Sequence, residues 1–281
     1  MAPGELMDAA DSEDAGLPPA TLRGRRILVT RTRAQSSTLA EALRVRGAEV
    51  IEIPTIRIEP PQSFAALDAA LARLREYDTL LVTSANTAQA LASRLATPWA
   101  HQPFTVAIGP ATRDALLGYG LRVDLEPRPS VAESVIAALA PTAAGKRMLL
   151  VRAAVARELL PEALRAAGAR VDVVEAYRTV LAGESAAKLA ELFAGDEHSG
   201  DQHPGAAEID AVTFTSSSTV ENFVALLGEG AAHRALARSR ACSIGPITSD
   251  TLRRHGFEPA IEAESHDVAG LVRAIEALFH T

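Results

Sequence analysis

Apolar residues along this chain fall into two alternating patterns. Short runs rich in valine, leucine and isoleucine are each followed by a longer stretch whose apolar positions recur every third or fourth residue. That is the signature of strands alternating with amphipathic helices. Arg26–Thr30 is a β-rich run leading into a helical period over Ala34–Arg46, and Gly47 suits the left-handed position after its last turn. Val50–Ile58 reads as one extended segment, which Pro54 confines to a sheet edge or a linker. The spacing predicts a helix over Phe64–Leu74, with leucines at 67, 71 and 74 on one side. Thr79–Val82 is a buried strand, followed by Thr83-Ser84-Ala85-Asn86 and a helix to Leu95. Val106–Ile108 is another, ending in Gly109-Pro110-Ala111-Thr112 and a helix to Leu117. Gly118–Val123 turns into a further short strand, and Glu133–Leu139 is helical. Gly183–Glu208 is polar and turn-rich, and is expected to be a surface loop or short helix.

The pattern occurs twice. Arg26–Val50 slides onto Arg147–Val171 without a gap, which places Arg31 on Arg152 and Gly47-Ala48 on Gly168-Ala169. Continued, the slide places Ile56-Arg57 on Tyr177-Arg178, so only the second copy carries a tyrosine there. Tyr77–Leu91 likewise matches Ile209–Phe223, and Val106–Asp124 matches Cys242–Ala260. Two copies mean paired domains rather than a solenoid. Alternating strands and helices make each an α/β unit with a parallel sheet and right-handed crossovers. The repeat alone allows a tandem division near residue 146 as readily as a nested one.

Ligands of such sheets gather beyond the carboxyl ends of the strands. The loops TSAN (Thr83–Asn86) and TSSST (Thr215–Thr219) lie there, as do both IGPxT turns, around Gly109 and Gly245. All four precede a helix, whose unpaired N–H groups and positive dipole end favour anions. Ordinary N-capping by serine or threonine is the competing reading for Ser84 and Ser216. Thr112 and Thr248 are open to the same choice, capping or donation to a ligand carboxylate. Tyr177, between Glu175 and Arg178, is a candidate catalytic phenol whose bland alternative is strand packing.

Composition narrows the classes. The chain has 281 residues, 48% hydrophobic and 4% aromatic, which is ordinary for a soluble protein with room for two cores. No run approaches a membrane span, and Met1–Gly24 lacks the basic and apolar regions of a signal peptide. That acidic segment, with Pro18-Pro19, is expected to be a disordered leader, and the expected compartment is the cytoplasm. A net charge of −7 argues against a nucleic-acid surface, though not against a small anionic ligand met by local donors. The single cysteine, Cys242, excludes an internal disulfide and a multi-cysteine metal site. His101 looks structural, and the other histidines fall in polar or terminal stretches. No metal constellation, nucleophile elbow, Walker loop or dinucleotide fingerprint is present.

Taken in order, VTRxxxxxxxLxxxLxxxGAxV, YDTLLVTSANTAQAL, AIGPAT, GKRMLLVRA, LPEALRAAGARVDVVEAYRT, FTSSSTVENF and SIGPITSDTL resemble the uroporphyrinogen-III synthase family over about Gly24–Leu278. The resemblance implies an α/β fold of two flavodoxin-like parallel-sheet lobes, a two-stranded linker and a deep interdomain cleft. Residues 25–53 with 179–281 would form one lobe and 60–173 the other, with 54–59 and 174–178 as linker strands. The implied reaction is cyclisation of hydroxymethylbilane to uroporphyrinogen III, with inversion of the last pyrrole ring and loss of water, in haem biosynthesis. It needs no cofactor and no metal. The family's proposed general acid maps onto Tyr177. The substrate is a linear polycarboxylate tetrapyrrole, for which Arg31, Ser84, Ala85, Asn86, Gly109, Thr112, Arg152, Ser216, Ser217, Ser218, Gly245 and Thr248 are the expected binding set. The implied protein is a monomer with no nucleic-acid or membrane partner, in transient contact with hydroxymethylbilane synthase.

Two other readings compete. A non-catalytic tetrapyrrole-sensing module would use the same scaffold, but such relatives carry an added DNA-binding domain and this chain ends at Thr281 without a basic tail. A periplasmic-type binding protein is disfavoured by the missing export signal.

Overall fold

The computed structural model describes residues 20–31, 33–95, 102–194 and 208–280, without the side chains of 33–37. Most of the expected leader, His101, His198 and His203 lie outside the described residues. The elements, in chain order, are β1 (Arg26–Val29), α1 (Arg33–Val45), β2 (Glu49–Glu52), β3 (Ile56–Glu59), α2 (Ala65–Ala72), β4 (Thr79–Val82), α3 (Ala85–Arg94), β5 (Phe104–Ala107), α4 (Pro110–Gly118) and α5 (Ala132–Leu139). They continue with β6 (Arg147–Ala153), α6 (Leu159–Ala166), β7 (Arg170–Leu181), α7 (Gly183–Phe193), β8 (Ala211–Phe214), α8 (Ser217–Leu227), α9 (Glu229–Arg238), β9 (Arg240–Ser243), α10 (Pro246–Arg254), β10 (Ile261–Glu262) and α11 (Val268–Phe279).

Contacts divide the chain into two units: Met1–Ile56 with Leu181–Thr281, and Arg57–Val180. In the first, five strands run in the order β10-β9-β8-β1-β2, all paired in parallel. Numbered along the unit, this is the flavodoxin-type order 2-1-3-4-5. Alternate residues feed opposite faces. Leu28, Val212, Phe214 and Ala241 meet α7, α8, α9 and α10 on one side. Ile27, Val29, Ala211 and Cys242 meet α1 and α11 on the other. Both faces are covered, so these strands read as continuous apolar runs.

The second unit repeats the order with its halves exchanged along the chain. Its sheet is β3-β7-β6-β4-β5, with β6 and β7 in the places of β1 and β2 and β4 and β5 in those of β8 and β9. Beyond β5, at the place β10 holds in the first unit, a single parallel bridge joins Val106 to Leu125, so the strand expected over Gly118–Val123 is reduced to a bridge just after it. One face packs Leu80, Val82, Leu149 and Val151 against α2, α3 and α4. The other packs Leu81, Met148 and Leu150 against α5 and α6.

Three further differences from the sequence reading have local causes. The segment expected as one strand over 50–58 is two strands in two sheets, β2 and β3, broken around Pro54, which supplies no ladder donor. Residues 20–24 do not continue a disordered leader: Leu22 is fully buried and its N–H donates to Arg46 at 2.8 Å. Gly183–Phe193, at the head of the polar stretch, is a full helix because Leu189 on one side reaches the core.

A polar clasp closes the amino end of the second sheet. The buried Tyr77 ring lies under Arg147, and its phenol donates to Asp172 at 2.5 Å. Burial, then Asp172, pushes the phenol up to about 12 from an ordinary value of about 10. The folded state therefore holds this proton more tightly than the unfolded chain. The stabilisation is complete below about pH 10 and is lost as pH rises through about 12. Urea unfolding across that window should show a steeper alkaline loss in the wild type than in Tyr77→Phe, and parallel profiles would contradict it.

Candidate active site

At the carboxyl end of β4 the chain turns through Thr83 and Ser84 into α3. Ser84 is extended (φ −160°, ψ 163°) and its Oγ accepts the Thr87 N–H at 3.2 Å, a regular N-cap. The same oxygen lies 2.9 Å from Thr87 Oγ1 and donates to the phenol oxygen of Tyr177 at 3.2 Å. Thr83 Oγ1 donates to the Val151 carbonyl at 3.3 Å and lies 3.5 Å from Thr87 Oγ1. Four hydroxyls, two from the turn after β4, one from α3 and one from β7, thus form one connected group. The N–H groups of Ala85 and Asn86, in the first turn of α3, have no carbonyl behind them and face the same end of the sheet.

Tyr177 reaches this group because β7 is bulged. Along β6 and β7 the register runs regularly to Arg152 opposite Glu175 and then jumps to Ala153 opposite Tyr177, leaving Ala176 without a partner. Strict alternation would send Tyr177 to the face opposite Val174 and Ala176. The extra residue turns it back, and its ring packs on the cluster that holds both of them. Beyond the bulge the ladder resumes, with the Ala154 N–H donating to the Tyr177 carbonyl at 2.9 Å. Arg178 is clamped to Glu59 of β3 at 2.9 Å, which fixes the strand on the other side.

The neighbouring turn is shaped by Gly109, which caps α4 with Pro110 at the first helical position. Its φ of 91° with ψ of 157° belongs to glycine alone. Gly109→Ala should cost about 1–3 kcal/mol in urea unfolding. Gly245, the counterpart at α10, has an extended φ of 169° and carries no such strain. A Cβ there would instead meet the His266 ring at 2.9 Å, and that exposed side chain can move. The alanine variant at 245 should therefore be the milder of the two, and equal losses would contradict this. Sequence reading missed Ser130 and His266, which cover the two glycines at matching distances along the repeat. The repeat offset would have found them.

Thr112 is buried and its hydroxyl donates to the Ile108 carbonyl at 2.8 Å. Thr248 is buried too. In the first unit Ser216 caps α8 through a reciprocal box with Thr219, Ser217 donates to the Ile247 carbonyl at 3.2 Å, and Ser218 is exposed.

The two repeat-related arginines differ. Arg152 is buried, donates to the Arg157 carbonyl at 3.0 Å and pairs with Glu158, leaving Nε without a partner among the described residues. Arg31 is half-buried, with no ion-pair partner among the described residues, and burial lowers its pKa.

Cavities of about 530 Å³ and 370 Å³ open elsewhere in the first unit, beside Arg273 of α11 and beside Arg25 and Asp210. Neither is lined by a residue of the expected site. Among the described residues no group of three or more His, Cys, Asp or Glu side chains is placed to hold a metal ion, and no helix is long and apolar enough to cross a membrane.

A family model described as uroporphyrinogen-III synthase HemD matches residues 37–273. A uroporphyrinogen-III synthase of Synechococcus elongatus is 35% identical, covering 91% of this chain and 96% of its own. That of Escherichia coli is 27% identical over 89% of this chain and 99% of its own. Among solved structures, a mutant uroporphyrinogen III synthase from Thermus thermophilus shares the fold with a TM-score of 0.57 at 20% identity, over 91% of this chain and 99% of that one. The Helicobacter pylori enzyme does so with 0.56 at 15%, over 90% and 99%. Matched along most of its length by the family model, and at 35% identity by a synthase it covers almost end to end, this chain belongs to the uroporphyrinogen-III synthase family.

Proposed function

We propose that this chain closes hydroxymethylbilane to uroporphyrinogen III and that Tyr177 is its general acid. The observation that carries the assignment is the placement of the Tyr177 phenol by a bulge beside Ser84 and the first turn of α3. In the first step the phenol gives its proton to the substrate's terminal hydroxyl, the carbon–oxygen bond breaks and water leaves. The cation so formed, an azafulvenium, stands next to the phenolate. The substituted carbon of the last ring attacks it to give a spiro intermediate, which fragments and recloses with that ring inverted. The proton lost as the final ring regains aromaticity returns to the phenolate, so the sum is one bilane to one macrocycle and one water.

Orientation does the remaining work, because unguided closure gives the type I isomer. The substrate's carboxylates need donors without bulky counter-charges. In the Arg57–Val180 unit these are the N–H groups of Ala85 and Asn86 and the turn at Gly109; the hydroxyl of Thr112 is not among them. In the other unit they are Arg31, Ser216–Ser218 and the turn at Gly245 and Thr248. Arg152 braces residues 157–158 and offers at most its unpartnered Nε. Free bilane closes spontaneously, so a monomer in the cytoplasm taking substrate by transient contact with hydroxymethylbilane synthase fits the chemistry. No observation favours the non-catalytic sensing reading.

Expression of this chain in a bacterial strain lacking its own synthase tests the proposal. Restored haem-dependent growth is expected, and persistent type I accumulation with no growth would refute it.

A further inference from the structure

We propose that Ser84 is the positioning residue for Tyr177, fixing the phenol and turning its proton toward the substrate; this rests on the reading of Tyr177 as the acid. The argument is a count of donors and acceptors. A serine hydroxyl has one proton and two lone pairs. One lone pair of Ser84 Oγ takes the Thr87 N–H at 3.2 Å. Thr87 is fully buried, so its hydroxyl proton needs an acceptor inside the protein. Ser84 Oγ at 2.9 Å is closer than Thr83 Oγ1 at 3.5 Å. Thr83 in turn sends its own proton to the Val151 carbonyl.

Both lone pairs of Ser84 are then filled, and its proton has Tyr177 as its remaining neighbour, 3.2 Å away. The phenol oxygen accepts that bond, which leaves the phenol's own proton for an external acceptor. The arrangement selects donation over abstraction, as expulsion of a hydroxyl requires. The repeat supplies an internal comparison. Ser216 occupies the matching place, likewise accepts the backbone N–H three residues on, and has Ser218 Oγ at 3.0 Å instead of a phenol. Capping is common to the two copies, whereas the bond to tyrosine belongs to Ser84 alone.

The test compares Ser84→Gly, Ser84→Thr, Tyr177→Phe and the Ser84→Gly/Tyr177→Phe double variant, assayed with hydroxymethylbilane for kcat, KM and isomer ratio. Glycine is nearly as good an N-cap as serine, so Ser84→Gly should melt close to the wild type. Its kcat should fall about 10- to 100-fold, the cost of a misplaced acid, with KM within about twofold. Ser84→Thr keeps the hydroxyl and should recover most of the rate. Because Ser84 acts through the phenol, Ser84→Gly should cost nothing further in the Tyr177→Phe background. Losses that multiply in the double variant, or a raised KM at unchanged kcat, would overturn the inference and make Ser84 a substrate contact. A fully active Tyr177→Phe would overturn the acid assignment itself, and that single variant distinguishes the two failures.

Discussion

Tyr177→Phe is expected to lower kcat about 10²- to 10³-fold, within the range for removal of a positioned general acid. The substitution removes one oxygen. The ring, packed against the core cluster on that face of the sheet, stays where the bulge puts it. The lost hydrogen bond is a half-buried one of 3.2 Å to Ser84, whose net worth is about 0.5–1.5 kcal/mol. Water can satisfy Ser84 in its place. The melting temperature should therefore barely move while turnover collapses, and residual product should shift toward the type I isomer. A variant that keeps wild-type kcat and type III product would remove the acid role. One that loses rate together with several kcal/mol of stability would show the tyrosine to be a packing residue.

The largest loss of stability should come from Phe223→Ala. Aromatic residues are only 4% of the chain, so each one is a large share of the core. Phe223, on α8, is fully buried. It makes edge-to-face contacts with Phe214 at 5.5 Å and Phe193 at 6.0 Å. Truncation leaves a cavity between β8, α7 and α8 and should cost about 3–5 kcal/mol, a large part of the roughly 5–15 kcal/mol that typically separates folded from unfolded states. Urea denaturation should show the midpoint falling with an unchanged slope. A loss below about 1.5 kcal/mol would mean that the neighbours collapse into the space.

Much of this architecture is legible in the sequence. The strands with both faces buried are apolar runs, the helices carry a period of three to four, and Gly109-Pro110 and Gly245-Pro246 mark helix starts. Together they lead to the α/β class and to a duplicated unit. The sheet membership was not legible from the repeat. Nothing in Arg26–Glu52 says that β1 and β2 join β8, β9 and β10 across a long stretch of intervening chain.

The site divides along the same line. Ser84 and Ser216 announce themselves as caps, and the motif order points to Tyr177. The bulge at Ala176 is invisible in VEAYRT, since alternation alone sends the tyrosine to the wrong face. Arg31 and Arg152 are equivalent in the repeat but not in space, because only Arg152 has Glu158 within reach. The hydroxyl of Thr112 turns back to Ile108 because a threonine in a first turn finds a carbonyl there. The bulge is set by pairing with β6, whereas the partners of Arg152 and Thr112 lie within a few residues of them along the chain, and residue type alone reports neither.

The most direct measurement supplies hydroxymethylbilane to the purified protein and separates the oxidised type I and type III uroporphyrins. The account predicts type III in clear excess over a protein-free control, with the excess lost in Tyr177→Phe. Type I alone, formed at the spontaneous rate, would contradict it.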